Sequence, residues 1–142
     1  MPRVSAAFFV TGGLFLLSGI FVGMYMGAYE DFRLAPAHAH INLVGWVTMA
    51  LYGGFYALTA KTMSPRLAWA NYLLALVGAL IQGPSLGALI VTGDKTFQAT
   101  LNAGETITTL ALLVFLVSAF RELLRDRTTQ TAGSVPIGNP AE

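Results

Sequence analysis

The only two histidines of the chain lie two residues apart, in Pro36-Ala37-His38-Ala39-His40-Ile41-Asn42-Leu43-Val44-Gly45-Trp46. They open a long apolar run. Imidazole is costly in hydrocarbon, and a titratable side chain within a membrane span is a functional candidate by default. Imidazole is also a common metal ligand that coordinates in its neutral form. On an α-helix, residues two apart diverge by about 200°. His38 and His40 therefore cannot grip one ion from the same face. Asn42 and Gly45 share the side of His38, and Val44 and Val47 share the side of His40. Three readings are open on the residues alone: a solvated pair in a loop, a hydrogen-bonded or proton-sensing pair at an interface, or ligands of a metal or haem.

The elements that must position this pair are membrane helices. The chain has 142 residues, of which 55% are hydrophobic and only 11% charged, with mean hydropathy +0.64. Soluble domains carry about 25% charged residues. The net charge of +1 offers no footing for nucleic acid. The absence of cysteine excludes disulfides, thiolate metal sites, iron–sulfur clusters and covalent haem attachment, so any haem is non-covalent.

Four apolar segments, about 4–29, 37–60, 67–92 and 97–124, each exceed the roughly 20 residues that span a bilayer as a helix. The fold class expected is therefore all-α: a polytopic membrane protein with a four-transmembrane-helix bundle over residues 1–127. The first segment has too long an apolar run for a signal peptide and is read as a retained helix. The short breaks between segments force adjacent helices to run antiparallel. Residues 128–142, rich in Thr, Gly, Ser and Pro, are expected to be a disordered tail.

Arg3, Lys61, Arg66, Arg121, Arg125 and Arg127 fall on one side of these spans, and Arg33 and Lys95 on the other. That bias predicts both termini in the cytoplasm, the cytoplasmic (inner) membrane as location, and the histidines near the extracytoplasmic side. Pro36 suits the first turn of the second helix, where its missing N–H costs nothing. Gly19, Gly23 and Gly27 on the first helix and Gly83 and Gly87 on the third repeat every four residues, a spacing that lets helices approach closely. A flat cofactor against such a face is the sharper alternative. Pro84 is expected to kink the third helix.

Glu105 is the only acidic residue well inside a span, roughly eight residues or about 12 Å into the fourth helix. It is a candidate proton-transfer group, metal ligand or partner of a ligating histidine, with a neutral carboxyl bonded across a helix contact as the plainer reading. Asn102, Thr106 and Thr109 share roughly its face. Met24 and Met26 lie near the outer end and are axial-ligand candidates, though core packing is the commoner role. Tyr25, Tyr29 and Trp46 suit an interfacial belt, with Trp46 deep for one. Glu30, Asp31 and Arg33 lie near the histidines as a solvated loop or as partners of an imidazole or a haem propionate.

The stretch His38-Ala39-His40-Ile41-Asn42-Leu43-Val44-Gly45-Trp46-Val47 resembles the tenth transmembrane helix of subunit I in the haem–copper oxidase superfamily, above all in the C-family oxidases and nitric oxide reductases. There a His-x-His pair opens the helix on the extracytoplasmic side and Gly-Trp follows five residues after the second His. The resemblance implies that His38 and His40 are haem ligands on opposite faces, with Gly45 and Trp46 beside the cofactor and Asn42 as a supporting polar group. The family's tenth helix is the second of its third four-helix arc, as the pair is on the second of four helices here. The resemblance covers about ten residues. The family's copper site needs three further histidines that this chain lacks, so the chain is not a complete oxidase on its own.

The function expected is that of a b-type haem-binding membrane protein, resembling a single arc of that subunit, that carries electrons or binds a diatomic gas through His38 and His40. The alternative is a copper- or zinc-binding or accessory membrane protein without haem. Three copies would restore twelve helices in three arcs, so a homo-oligomer is expected, a trimer ahead of a dimer, with the lipid bilayer and a redox partner as the other contacts. Whether the protein is an enzyme is left open by the sequence.

Overall fold

Four antiparallel helices emerge from those four apolar segments. The computed structural model describes residues 1–132, with side chains through residue 125. They are α1 (Arg3–Tyr29), α2 (Ala35–Leu58), α3 (Pro65–Thr92) and α4 (Thr96–Ala132). Among the described residues there are no strands, and all four helices are long and apolar enough to cross a membrane. The chain is a multi-pass membrane protein. The expected tail start is displaced, because α4 continues to Ala132. The remaining ten tail residues lie outside the described part.

Local chemistry sets the helix ends. α1 stops where Glu30 adopts a left-handed conformation, φ 51°, and its N–H reaches back to the Met26 carbonyl. α3 stops in the same way at Gly93, φ 68°, where glycine carries no Cβ penalty. Pro36 and Pro65 lie in the first turns of α2 and α3, where no intrahelical N–H is needed. Pro84 lies inside α3, and the helix is assigned continuously from Pro65 to Thr92.

One departure from regular geometry stands out. Ile41–Thr48, immediately after the histidines, is π-helical, and the Thr48 hydroxyl donates to the Leu43 carbonyl five residues back at 2.8 Å. The expectation of a regular α-helix across the second span holds only for Ala35–His40 and Met49–Leu58. Single π-turns inside α-helices concentrate at functional sites.

Glycines set the helix spacing. A Cβ on Gly12 would lie 3.0 Å from the Trp46 ring, one on Gly19 would overlap the Asn42 amide, and one on Gly23 would lie 3.1 Å from His38 Cε1. Gly45 receives Phe15, and Gly53 receives Phe8. α1 and α2 thus interlock by setting large side chains of one against glycines of the other. Gly83 receives Ile41 and Gly87 faces Ala37, which seats α2 on α3. Both glycine repeats therefore serve helix packing, except that Gly27 meets nothing.

The core lies toward the other end from the histidines. Phe8, Tyr52 and Tyr56 are buried, with Phe8 edge-on to Tyr52 and Tyr72, stacked on Tyr56, and Tyr52 against Phe115 at 4.4 Å. α4 runs along α3, the most extensive helix pairing present. Asn71 donates to the Ala111 carbonyl at 2.7 Å across that pair. α4 remains the least covered span, with 6% of its apolar window buried against 33% for α3.

Candidate functional site

The six-residue α-helical start of α2 carries both histidines, so the angular divergence expected from their spacing applies. His38 faces α1. Its Nδ1–H donates to the Gly19 carbonyl at 2.9 Å. A carbonyl only accepts, so the proton is on Nδ1 and the lone pair is on Nε2. Gly19 is what allows the approach, since any side chain there would occupy the same space. The Asn42 amide donates to the His38 carbonyl at 3.0 Å and lies 3.1 Å from His38 Nε2. The lone pair of His38 is therefore capped by Asn42, whose own Oδ1 is buried without a partner among the described residues.

His40 is held differently. Its Nδ1–H donates to the Pro36 carbonyl one turn back at 2.9 Å. Its Nε2 has no hydrogen-bond partner among the described residues. Both imidazoles thus share one tautomer, with a backbone carbonyl taking Nδ1–H and Nε2 left to accept or coordinate. Ligating histidines almost always donate their second N–H in this way. The donor set fits an iron or other metal at His40 Nε2 directly. At His38 it fits once the Asn42 amide turns away.

The other sequence candidates scatter. Gly45 is buried under Phe15 on the side of His38, and Trp46 packs on Gly12, so both belong to the α1–α2 contact. Met26 is buried and Met24 is exposed. Tyr25 and Tyr29 pack on each other at 4.8 Å. Glu105 is exposed on α4, and no hydrogen bond of its carboxyl exists among the described residues. Among the described residues no three His, Asp or Glu side chains come together as a metal cage.

The loop between α1 and α2 is braced by an ion pair. Arg33 Nη2 lies 2.6 Å from Asp31 Oδ2, and Arg33 Nε donates to both carboxylate oxygens at 3.0 Å. Hydrogen bonding from the Arg33 side chain holds the Asp31 carboxyl down to about 2. An open apolar cleft of about 400 Å³ lies beside the histidine pair, lined by Val22, Leu34, Ala37, Ile41, Gly83 and Pro84 among others. Neither histidine lines it.

Sequence reasoning missed three features. The Gly19 acceptor is a backbone atom, visible only as one member of a glycine repeat. The π-helical turn leaves no mark in an apolar run. Thr62 donating to Glu122 at 2.8 Å, which ties the α2–α3 loop to α4, had only a charge in a terminal turn to announce it. No family model, curated protein or solved structure matches the chain.

Proposed function

We propose that this protein is a b-type haem-binding protein of the cytoplasmic membrane, related to one arc of the haem–copper oxidase large subunit. His40 is its readiest iron ligand and His38 a second that Asn42 keeps in reserve. The observation that carries this reading is the shared tautomer: both Nδ1–H groups are spent on backbone carbonyls, which turns each Nε2 into a lone pair. Haem iron needs only one or two protein ligands because the macrocycle supplies four nitrogens. Zinc takes three or four protein ligands, and one copy of this chain gathers no such set among the described residues. Within one copy, that difference favours haem over zinc.

Bound haem would supply one-electron chemistry or a coordination position for O2 or NO. The chain's own contribution is to hold each imidazole with its Nδ1–H on a backbone carbonyl. With His40 as the sole protein ligand, bound haem would offer a coordination position to a gas. With His40 of one copy and His38 of another as ligands, bound haem would serve to pass electrons to a redox partner. The bias of Lys and Arg supports cytoplasmic termini and an extracytoplasmic histidine pair. The lipid-facing polar groups of α4 support a homo-oligomer, with a trimer restoring twelve helices.

The test is optical. Protein purified from cells supplied with ample haem should show Soret and α bands in the reduced-minus-oxidised spectrum, and carbon monoxide should shift the Soret band if one face is open. Bands absent from wild type, or unchanged when both histidines are replaced by Ala, would overturn the reading. Stoichiometric copper or zinc without iron would replace it by the metal-binding alternative.

A further inference from the structure

α4 carries a second pattern besides the seam it packs on α3. Gln98, Asn102, Glu105, Thr109, Leu112 and Leu116 follow the alternating four–three spacing of a coiled-coil seam, and all six are exposed. They lie about 100° around the helix from the positions that meet α3, such as Gly104 and Thr108. The outer half of this face is polar and the inner half is leucine. Glu105 is nine residues from the helix start, or about 14 Å along the axis. The Gln98 amide donates to Asn102 Oδ1 at 2.8 Å, and the Thr109 hydroxyl donates to the Glu105 carbonyl. The Asn102 N–H groups and the Glu105 carboxyl have no partner among the described residues.

A carboxyl and an amide facing lipid at this depth are costly, whereas the same groups facing another helix hydrogen-bond across it. Copies that share one Lys and Arg bias share one orientation in the bilayer. A second α4 therefore arrives parallel, polar half beside polar half and leucine beside leucine. Amides both donate and accept, so the face is complementary to itself and needs no basic partner.

We propose that this stripe is the self-association seam of the protein, where α4 of a second copy packs parallel and in register. The proposal rests on the self-association part of the proposed function and not on haem. The seam runs beside a symmetry axis along the membrane normal, so each residue of the stripe meets its own counterpart at the same depth.

The chain has no cysteine, so single cysteines report self-proximity without background. Cysteines placed one at a time at positions 102, 109, 112 and 116 should form disulfide-linked dimers in oxidised membranes. Cysteines at positions 103 and 110, on the opposite side of α4, should give at least tenfold less. Equal cross-linking on both sides, or a reversed pattern, overturns the seam. Glu105→Gln, whose amide both donates and accepts, should leave cross-linking at position 109 unchanged. Glu105→Lys sets an ammonium, which donates and cannot accept, against its own counterpart and should reduce it at least tenfold, and an unchanged yield counts against the seam. Light scattering of the purified protein separates the two levels. An oligomer that cross-links only at 103 and 110 overturns this seam alone, and a monomer overturns the oligomer as well.

Discussion

The two histidines look equivalent in sequence and are not equivalent in structure. His38 is engaged at both ring nitrogens, by the Gly19 carbonyl and the Asn42 amide, while His40 is engaged at one. His40→Ala should therefore remove most of the haem absorbance, and His38→Ala should remove less while lowering the melting temperature. In Asn42→Ala the lone pair of His38 loses its cap. The six-coordinate fraction should then rise and carbon monoxide binding should fall, read from the difference spectrum. Gly19 sets all of this, because a Cβ there would overlap the amide. Overpacking of this kind costs about 1–3 kcal/mol, so Gly19→Ala should denature at lower temperature and bind less haem. Gly27→Ala, with nothing within 4 Å, should be neutral or slightly stabilising. Equal losses for the two glycines would mean that close approach at Gly19 is not what positions His38.

The second helix joins an α-helical start bearing the histidines to an α-helical end bearing Tyr52 and Tyr56, and the π-helical Ile41–Thr48 sets the rotation between them. Inserting an alanine between Met49 and Ala50, in the α-helical end, would rotate the histidines by roughly 100° relative to Tyr52 and Tyr56. Helical content by circular dichroism should persist while the haem bands disappear. Retained bands would show that this rotation does not matter to the site. The same helix illustrates what the sequence could reveal. Its existence is legible in apolar length and Pro36, with ends within two residues of those observed, because hydrocarbon thickness imposes length on any span. The divergence of His38 and His40 is legible in helical angle alone. The π-turn is not, because a uniformly apolar run looks the same at either periodicity. The Gly19 acceptor is not, because a backbone carbonyl has no residue type. Trp46 suits an interface or a cofactor by its type and instead packs on Gly12, a pairing that depends on which faces of two apolar helices meet.

Taken together, the four helices form an arrangement in which α1, α2 and α3 pack closely and α4 leans on α3 with most of its surface uncovered. The loop beside the histidine pair responds to pH only in acid. Asp31 is depressed from 3.8 to about 2 by Arg33. A carboxyl depressed in the folded state supports the loop above its ordinary pKa, and that support is lost as pH falls through about 2. Between about pH 5 and 8 the ion pair is constant, so a spectral change in that window belongs to other groups. Orientation in the membrane is the remaining large-scale expectation, and its charges are loop residues whose sidedness can be read directly. Lys61 and Arg66 flank the loop between α2 and α3, and Arg33 and Lys95 lie in the two loops at the histidine end. The excess of Lys and Arg on one side predicts that the first of these loops is cytoplasmic. Single cysteines at positions 33 and 95 should react with an impermeant maleimide added to intact cells. Cysteines at positions 61 and 64 should react only after the membrane is opened. The opposite labelling would place the histidines on the cytoplasmic side, where a haem held by either would exchange electrons with soluble cytoplasmic donors.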